Sequence, residues 1–269
     1  LTAGQRTVVS GGYRRDELVA TPSSFDPRRP TPVLLDFHAS GSDMSEQAIY
    51  SRFPTLATAR GYVVISPDGT GAPKGWTLTG TSDVTFVDDL LADLATAMCI
   101  DPHRIFATGF SNGSAFSGKL LCERPYFIAA AGMVSAPFPN TCPGNVVRPI
   151  IEFHGTADPI VAYRGGPVNA VGFDGLNSPG VLDTAAKWAD HNGCSGARNL
   201  QVASDVTRTA WTGCAAHGDI VLLTIQGGGH TWPGPIDLTK LGVFELGATT
   251  SSIDATKLTL DFFDTHPLP

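Results

Sequence analysis

RIFATGFSNGSAFSG, residues Arg104 to Gly118, is the stretch whose reading decides the fold. A short apolar run from Ile105 to Thr108 ends in Gly109-Phe110-Ser111-Asn112-Gly113 and passes into an Ala/Phe/Leu-rich helical pattern that reaches Cys122. This is G-x-S-x-G between a strand and a helix. At such a turn the serine takes a strained backbone conformation that exposes its hydroxyl, and the flanking glycines remove side chains where strand, turn and helix would collide. Ser111 is therefore the candidate nucleophile. In a chain with 30 glycines the pentapeptide alone says little; its position between strand and helix, and its partners downstream, carry the weight.

Outward from this stretch, strands and helices alternate. Arg6 to Val9 and Tyr13 to Ala20 read as a hairpin around Gly11-Gly12. Val33 to Phe37 reads as a buried strand ending at His38-Ala39-Ser40-Gly41-Ser42, and helical spacing then runs from about Asp43 to Arg60 and stops at Gly61. Tyr62 to Ser66 is a further strand. Val84, Val87, Leu90, Leu91, Leu94 and Met98 recur at helical spacing over Asp83 to Met98. After the serine turn come apolar runs at Phe127 to Val134 and Ile150 to Phe153, a Gly/Pro-rich loop over 164–180, and a helix from Val181 to His191. Thr207 to Trp211 and Ile220 to Ile225 read as strands, and a helix around Ser252 to Asp264 closes the chain. The alternation predicts an α/β fold with a mostly parallel sheet covered on both faces, whose site lies at the C-terminal strand ends.

No polar linker or low-complexity run divides the 269 residues, so a single domain over 1–269 is expected. Apolar residues make up 42% and charged residues 16%, enough for a large core. A net charge of -7 without a lysine or arginine cluster argues against nucleic acid or an anionic membrane as partner. No apolar run approaches a membrane span. The chain opens at Leu1, from which a processed or trimmed form is expected; low lysine, many glycines and prolines and five cysteines favour an exported protein, and a monomer is expected. Their pairing stays open on spacing alone. Neither H-x-x-x-H nor C-x-x-C occurs, so no metal or other cofactor is expected and chelators should leave any activity unchanged.

A serine hydroxyl attacks an acyl carbon only when a base takes its proton and a carboxylate orients that base. The strand ends supply both. Asp158 follows the Ile150 to Phe153 strand in His154-Gly155-Thr156-Ala157-Asp158, and His230 follows Ile220 to Ile225 across three glycines. Ser111, Asp158, His230 is the order of an α/β-hydrolase. Of the seven histidines, His38 and His154 also end strands, but each opens a small-residue turn that suits a ring hydrogen-bonded to backbone. Two fixed N–H donors are needed for the oxyanion: the backbone N–H of Asn112 and, from the turn after Val33 to Phe37, that of Ser40. Asn112-Gly113-Ser114 also matches a glycosylation sequon, discounted because a glycan there would block the turn.

The segments GYRRDELVATPSSFDP, PVLLDFHASGSD, CIDPHRIFATGFSNGSAF, HGTADPIVAYRGG and GGGHTWPG span most of Gly12 to Pro233. In them the chain resembles the secreted polyhydroxybutyrate depolymerase-like and feruloyl esterase-like serine esterases, relatives of carbohydrate esterase family 1. The resemblance implies an α/β-hydrolase fold and the same roles for Ser111, Asp158 and His230. It also implies a Cys194–Cys214 disulfide; Cys99 with Cys142 is added, leaving Cys122 as a buried free thiol. Where that family has His-Gly, this chain has His38-Ala39, and Ser114 replaces a glycine or alanine.

Trp76, Phe110, Tyr163 and Trp232 lie close in sequence to these residues and are the candidate substrate contacts, an aromatic wall that suits a cinnamoyl group, a polyester chain or a sugar face. Trp188 and Trp211, on a helix and a strand, read as core. The leading expectation is a secreted serine esterase acting on hydroxycinnamoyl esters of plant cell-wall polysaccharide through an acyl-enzyme. A polyhydroxybutyrate or polyester depolymerase and an acetyl xylan esterase are the enzymatic alternatives. A catalytically silent binding protein is the alternative of another class, which a serine-directed phosphonate would fail to label.

Overall fold

The computed structural model describes residues 1–137, 141–170, 175–237 and 244–269. Ten strands form one sheet. In chain order these are β1 (Gly4–Ser10), β2 (Tyr13–Ala20), β3 (Thr31–Phe37), β4 (Val63–Pro67), β5 (Ile100–Phe110), β6 (Ile128–Val134) and β7 (Ile150–Gly155). Two short strands, β8 (Gly166–Pro167) and β9 (Asn177–Ser178), pair apart from the sheet; β10 (Gly196–Ala203), β11 (Val206–Thr212) and β12 (Ile220–Ile225) complete it. The spatial order is β1-β2-β4-β3-β5-β6-β7-β12-β11-β10, parallel from β4 to β12 and antiparallel at both margins. The central strands β3, β6, β7 and β12 are buried along their whole length, so apolar residues occupy both faces of each rather than alternating with exposed polar ones.

The helices are α1 (Met44–Ser51), α2 (Phe53–Leu56), α3 (Ser82–Ala97), α4 (Asn112–Glu123), α5 (Val181–His191) and α6 (Ala255–Thr265). Side chains alternate across each strand and so feed two cores. Val33, Leu35, Phe37 and Ala107 pack with α3, α4 and α5 on one face, whereas Leu34, Val64, Phe106 and Phe153 pack with α1, α2 and α6 on the other. Helix α5 buries Val181, Thr184, Ala185, Trp188 and Ala189, a repeat of three and four residues that makes one apolar stripe. Trp188 is core, and Trp211 is half-buried against the same cluster. Among the described residues no helix is long and apolar enough to cross a membrane.

Two expectations are corrected and one strand is added. The helix over Asp43 to Arg60 breaks at Arg52, which takes φ 57°, because Pro54 cannot donate to Tyr50 and its ring would clash with that carbonyl; α2 and a 3-10 turn at Thr58–Arg60 follow. Strand β10 escapes sequence reading because it is exposed almost throughout and therefore shows no alternation. Cys99 does not pair with Cys142. Cys142 is bonded to Cys122 at the end of α4, where the two Cα atoms are 4.6 Å apart, and Cys99 is the exposed free thiol. Backbone bonds from Cys99 N–H to Pro27 O and from Thr31 N–H to Cys99 O hold it at the start of β5. The Cys194–Cys214 disulfide is present. In the 164–180 loop, residues 171–174 lie outside the described residues.

A thiol reagent added to the native protein should label Cys99 alone, and Cys99→Ser should abolish the labelling. Replacing Cys122 and Cys142 together by alanine should cost about 2–4 kcal/mol of unfolding free energy by urea titration, since the bond closes a loop in the unfolded chain; an unchanged midpoint would contradict the pairing.

Candidate active site

The serine turn is built by backbone packing. Strands β3 and β5 are hydrogen-bonded neighbours, so the start of α4 lies directly on the end of β3. A Cβ on Gly109 would stand 2.7 Å from Phe37 O, and one on Gly113 would stand 2.6 Å from His38 O and closer still to Phe37 O. Only glycine fits at either point. Ser111, between them, has φ 54° and ψ -116°, outside the regions an L-residue prefers. Such a conformation costs on the order of 1–3 kcal/mol and persists only where its surroundings over-determine it. Here Ser111 N–H donates to Val134 O at 2.8 Å, and its carbonyl accepts from Ala115 N–H, the first bond of α4.

Asp158 and His230 follow β7 and β12, neighbouring parallel strands separated from β5 by β6. Asp158 Oδ1 accepts the N–H groups of Ile160 and Val161 at 2.8 and 2.9 Å, which locks the carboxylate. Its Oδ2 lies 2.8 Å from His230 Nδ1. Burial would raise this carboxyl, but hydrogen bonds from His154 and His230 outweigh it and hold Asp158 well below the usual range. His230 N–H donates to Leu246 O at 2.6 Å, and the preceding glycines allow the close approach: a Cβ on Gly229 would fall inside contact with Leu246 O. With Nδ1 committed to Asp158, His230 has Nε2 free to exchange a proton at the cavity that it and Ser111 both line.

Ala39, Ser40 and Gly41 line the same cavity beside Asn112. The N–H of Asn112 lies in the first turn of α4 and has no acceptor within the helix, so it is available to an oxyanion. His38 Nδ1–H donates to Ala39 O at 2.7 Å, which leaves Nε2 to accept Gly69 N–H at 2.8 Å. Burial lowers its pKa and keeps this ring neutral. The turn is further pinned by Gly41 N–H on Lys74 O and by Trp76 Nε1–H on His38 O. The Asn112 side chain closes the frame: its Oδ1 accepts Trp76 N–H at 2.6 Å and its Nδ2 donates to Trp76 O at 3.0 Å. A side chain that reads as incidental in the sequence thus holds the 69–76 loop against the serine turn.

The cavity measures about 810 Å³. Of the four aromatic candidates only Phe110 lines it, its ring centroid 5.1 Å from that of His230. Trp76 is instead buried between Phe37 and Phe116, Trp232 between Tyr50 and Phe53 with Nε1–H on Thr256 Oγ1, and Tyr163 lies against His154 with its hydroxyl on Thr224. An indole offers large apolar area and one donor, and both tryptophans satisfy these inside the core. The walls are chiefly aliphatic: Leu78, Ala115, Ile160, Val161, Val168 and Leu176. Ile160-Val161, two residues past Asp158, is the part a sequence reading had a signal to find; lone apolar residues in loops offer none.

No protein-family model matches the chain. It is similar to feruloyl esterase B of Piromyces equi, at 28% identity over 228 residues covering 80% of this chain. It is also similar to feruloyl esterase D of Neurospora crassa, at 27% identity over 83% of this chain and 76% of that protein. The chain spans less than half the length of the Piromyces equi protein, 42% of it. Among solved structures, acetyl xylan esterase from Aspergillus awamori superposes with a TM-score of 0.64 at 15% identity, covering 90% of this chain and 99% of that one. The fold is that of the α/β-hydrolases.

Gly113→Ala should lose more than about 3 kcal/mol in urea unfolding, because its Cβ meets fixed backbone. Gly196→Ala, in open space on the edge strand, should change stability by no more than about 0.5 kcal/mol. Equal effects would contradict the close packing at the turn.

Proposed function

We propose that the chain is a serine carboxylic-ester hydrolase in which Ser111 is the nucleophile, His230 the general base and Asp158 its orienting carboxylate. The observation that carries this reading is the 2.8 Å Asp158–His230 contact opening on the cavity that also holds Ser111 at its strained turn. Ser111 Oγ attacks the ester carbonyl while His230 Nε2 takes its proton, and Asp158 stabilises the imidazolium. The tetrahedral oxyanion is met by the backbone N–H groups of Asn112 and Ser40. His230 then gives the proton to the departing alkoxide, an acyl-enzyme forms on Ser111, and water repeats the sequence to release the acid.

The acyl group proposed is hydroxycinnamoyl, on plant cell-wall polysaccharide. Relatives named feruloyl esterase support it, as does a cavity of about 810 Å³, ample for a phenylpropenoyl group and far larger than an acetyl group needs. A polyester reading is favoured by one observation, the aliphatic walls from which Trp76 and Trp232 are withdrawn. Two disulfides support an exported protein, and we propose that it acts as a monomer without cofactor.

Initial rates on methyl ferulate, a short-chain p-nitrophenyl ester and a polyhydroxybutyrate suspension, with wild type and Ser111→Ala side by side, test both. Ferulate turnover abolished in Ser111→Ala is the expected result; polymer clearing with negligible ferulate turnover would replace the substrate but keep the mechanism, and wild-type silence on all three would remove it. Asp158→Asn should keep the fold and lose several orders of magnitude in kcat; a loss below about tenfold would assign the role to another carboxylate. Because Asp158 is held below the usual carboxylate range, it stays ionised throughout the neutral range. The kcat/KM profile should therefore rise with pH through one imidazole ionisation and then level, and a second acidic ionisation on that limb would contradict the assignment.

A further inference from the structure

Four titratable side chains alternate along one line from the interior of the sheet to the cavity. Glu152 and His154, two residues apart on β7, share the face covered by α5. His154 Nδ1 stands 3.7 Å from Glu152 Oε1. Its Nε2 stands 2.8 Å from Val161 O and 3.2 Å from Asp158 Oδ2, the same oxygen that meets His230 Nδ1 at 2.8 Å. The sequence is thus carboxylate, imidazole, carboxylate, imidazole, and the first two groups, Glu152 and His154, have no part in the roles proposed above.

Every polar atom facing the His154 ring is an acceptor. Nε2 sees a carbonyl and a carboxylate, so it carries a hydrogen and donates it; Nδ1 sees only the Glu152 carboxylate. Both His154 Nδ1 and Glu152 Oε1 are buried without a hydrogen-bond partner; burial raises the Glu152 carboxyl and the neighbouring His154 ring works against that rise, and opposite charges facing each other across the gap would compensate both groups. Burial pulls the imidazole down, yet the two carboxylates outweigh it and raise His154 to about 9. Other groups around the ring leave this balance alone. The flanking strands β6 and β12 carry no titratable residue, and Tyr163 has its hydroxyl on Thr224. Helix α5 keeps Asp183, Lys187 and Asp190 exposed, and the α4 charges Lys119 and Glu123 pair with each other.

We infer that His154, charged against Glu152, is a positioning residue that holds the Asp158 carboxylate toward His230 and takes up part of its negative charge. The inference rests on the roles proposed above for Ser111, Asp158 and His230. Because Asp158 Oδ2 is shared between two imidazoles, it stabilises the His230 imidazolium less than a carboxylate serving one would. His230 thus faces a carboxylate whose charge is already partly met on the side away from the cavity.

His154→Gln keeps a donor near Nε2 and removes the charge. The rising limb of kcat/KM should move to higher pH by about half to one unit, with kcat reduced about tenfold and KM changed less than about twofold. A loss of packing alone would not move that limb. In the wild-type protein, ¹⁵N NMR of labelled imidazoles should find His154 protonated on both nitrogens between about pH 6 and 8. A neutral His154 ring overturns the inference, as does an unmoved or lowered limb in His154→Gln; should that variant not fold, the wild-type spectrum decides. If Ser111→Ala keeps the wild-type rate, the catalytic roles fail and the inference with them. If Ser111→Ala is inactive and the His154→Gln limb does not move, only the inference fails.

Discussion

The structure depends on one close contact, that of the Gly113 backbone on the carbonyls of Phe37 and His38. Strand and helix meet there without side chains between them. The contact sets β5 beside β3, puts the first turn of α4 on the 38–41 turn, and so brings two candidate oxyanion donors to one point. It also forces Ser111 into its positive-φ conformation. A strain on the order of 1–3 kcal/mol is tolerable only because α4 is buried over nearly its whole length and cannot relax away from the sheet.

The acid–base side is assembled by the same means. Gly155 and Gly228, then Gly229 and Leu246, approach backbone to backbone, so the loops after β7 and β12 lie against each other and Asp158 reaches His230. Extended loops of this kind hold a fixed geometry when their polar groups are all engaged. Asp158 accepts two backbone N–H groups besides its contacts with two histidines, and His230 is anchored through its own N–H. The deeper pair, Glu152 and His154, extends this order beneath the site, where charge is stable only because it alternates in sign.

The aromatic residues divide differently from what proximity in the chain implies. Trp76 and Trp232 stand within a few residues of functional positions, yet both rings turn into the core, where each has a single hydrogen-bond acceptor and ring neighbours at 5–6 Å. They act as struts: Trp76 ties the 69–76 loop to His38, and Trp232 ties the His230 loop to α6 through Thr256. Among aromatic side chains the cavity is lined by Phe110 and Tyr50, together with aliphatic and polar residues from loops and helix ends.

The sequence by itself determined the order of strands and helices, the parallel sheet, and the candidates Ser111, Asp158 and His230. Each of these rests on a local rule: apolar periodicity, glycines flanking a turn, and a polar residue just past a strand end. The Cys194–Cys214 bond was implied by resemblance. Tertiary structure alone decided what depends on which distant residues meet. Cys142 lies against Cys122 rather than Cys99, Pro54 and Arg52 end a helix that the spacing would have continued, and β10 is a strand because β11 pairs with it, not because its residues alternate. The fates of Trp76 and Trp232 and the line from Glu152 to His230 belong to the same class. Nothing within a few residues of a side chain states which way it turns or what charge it will face; packing across the sheet fixes both.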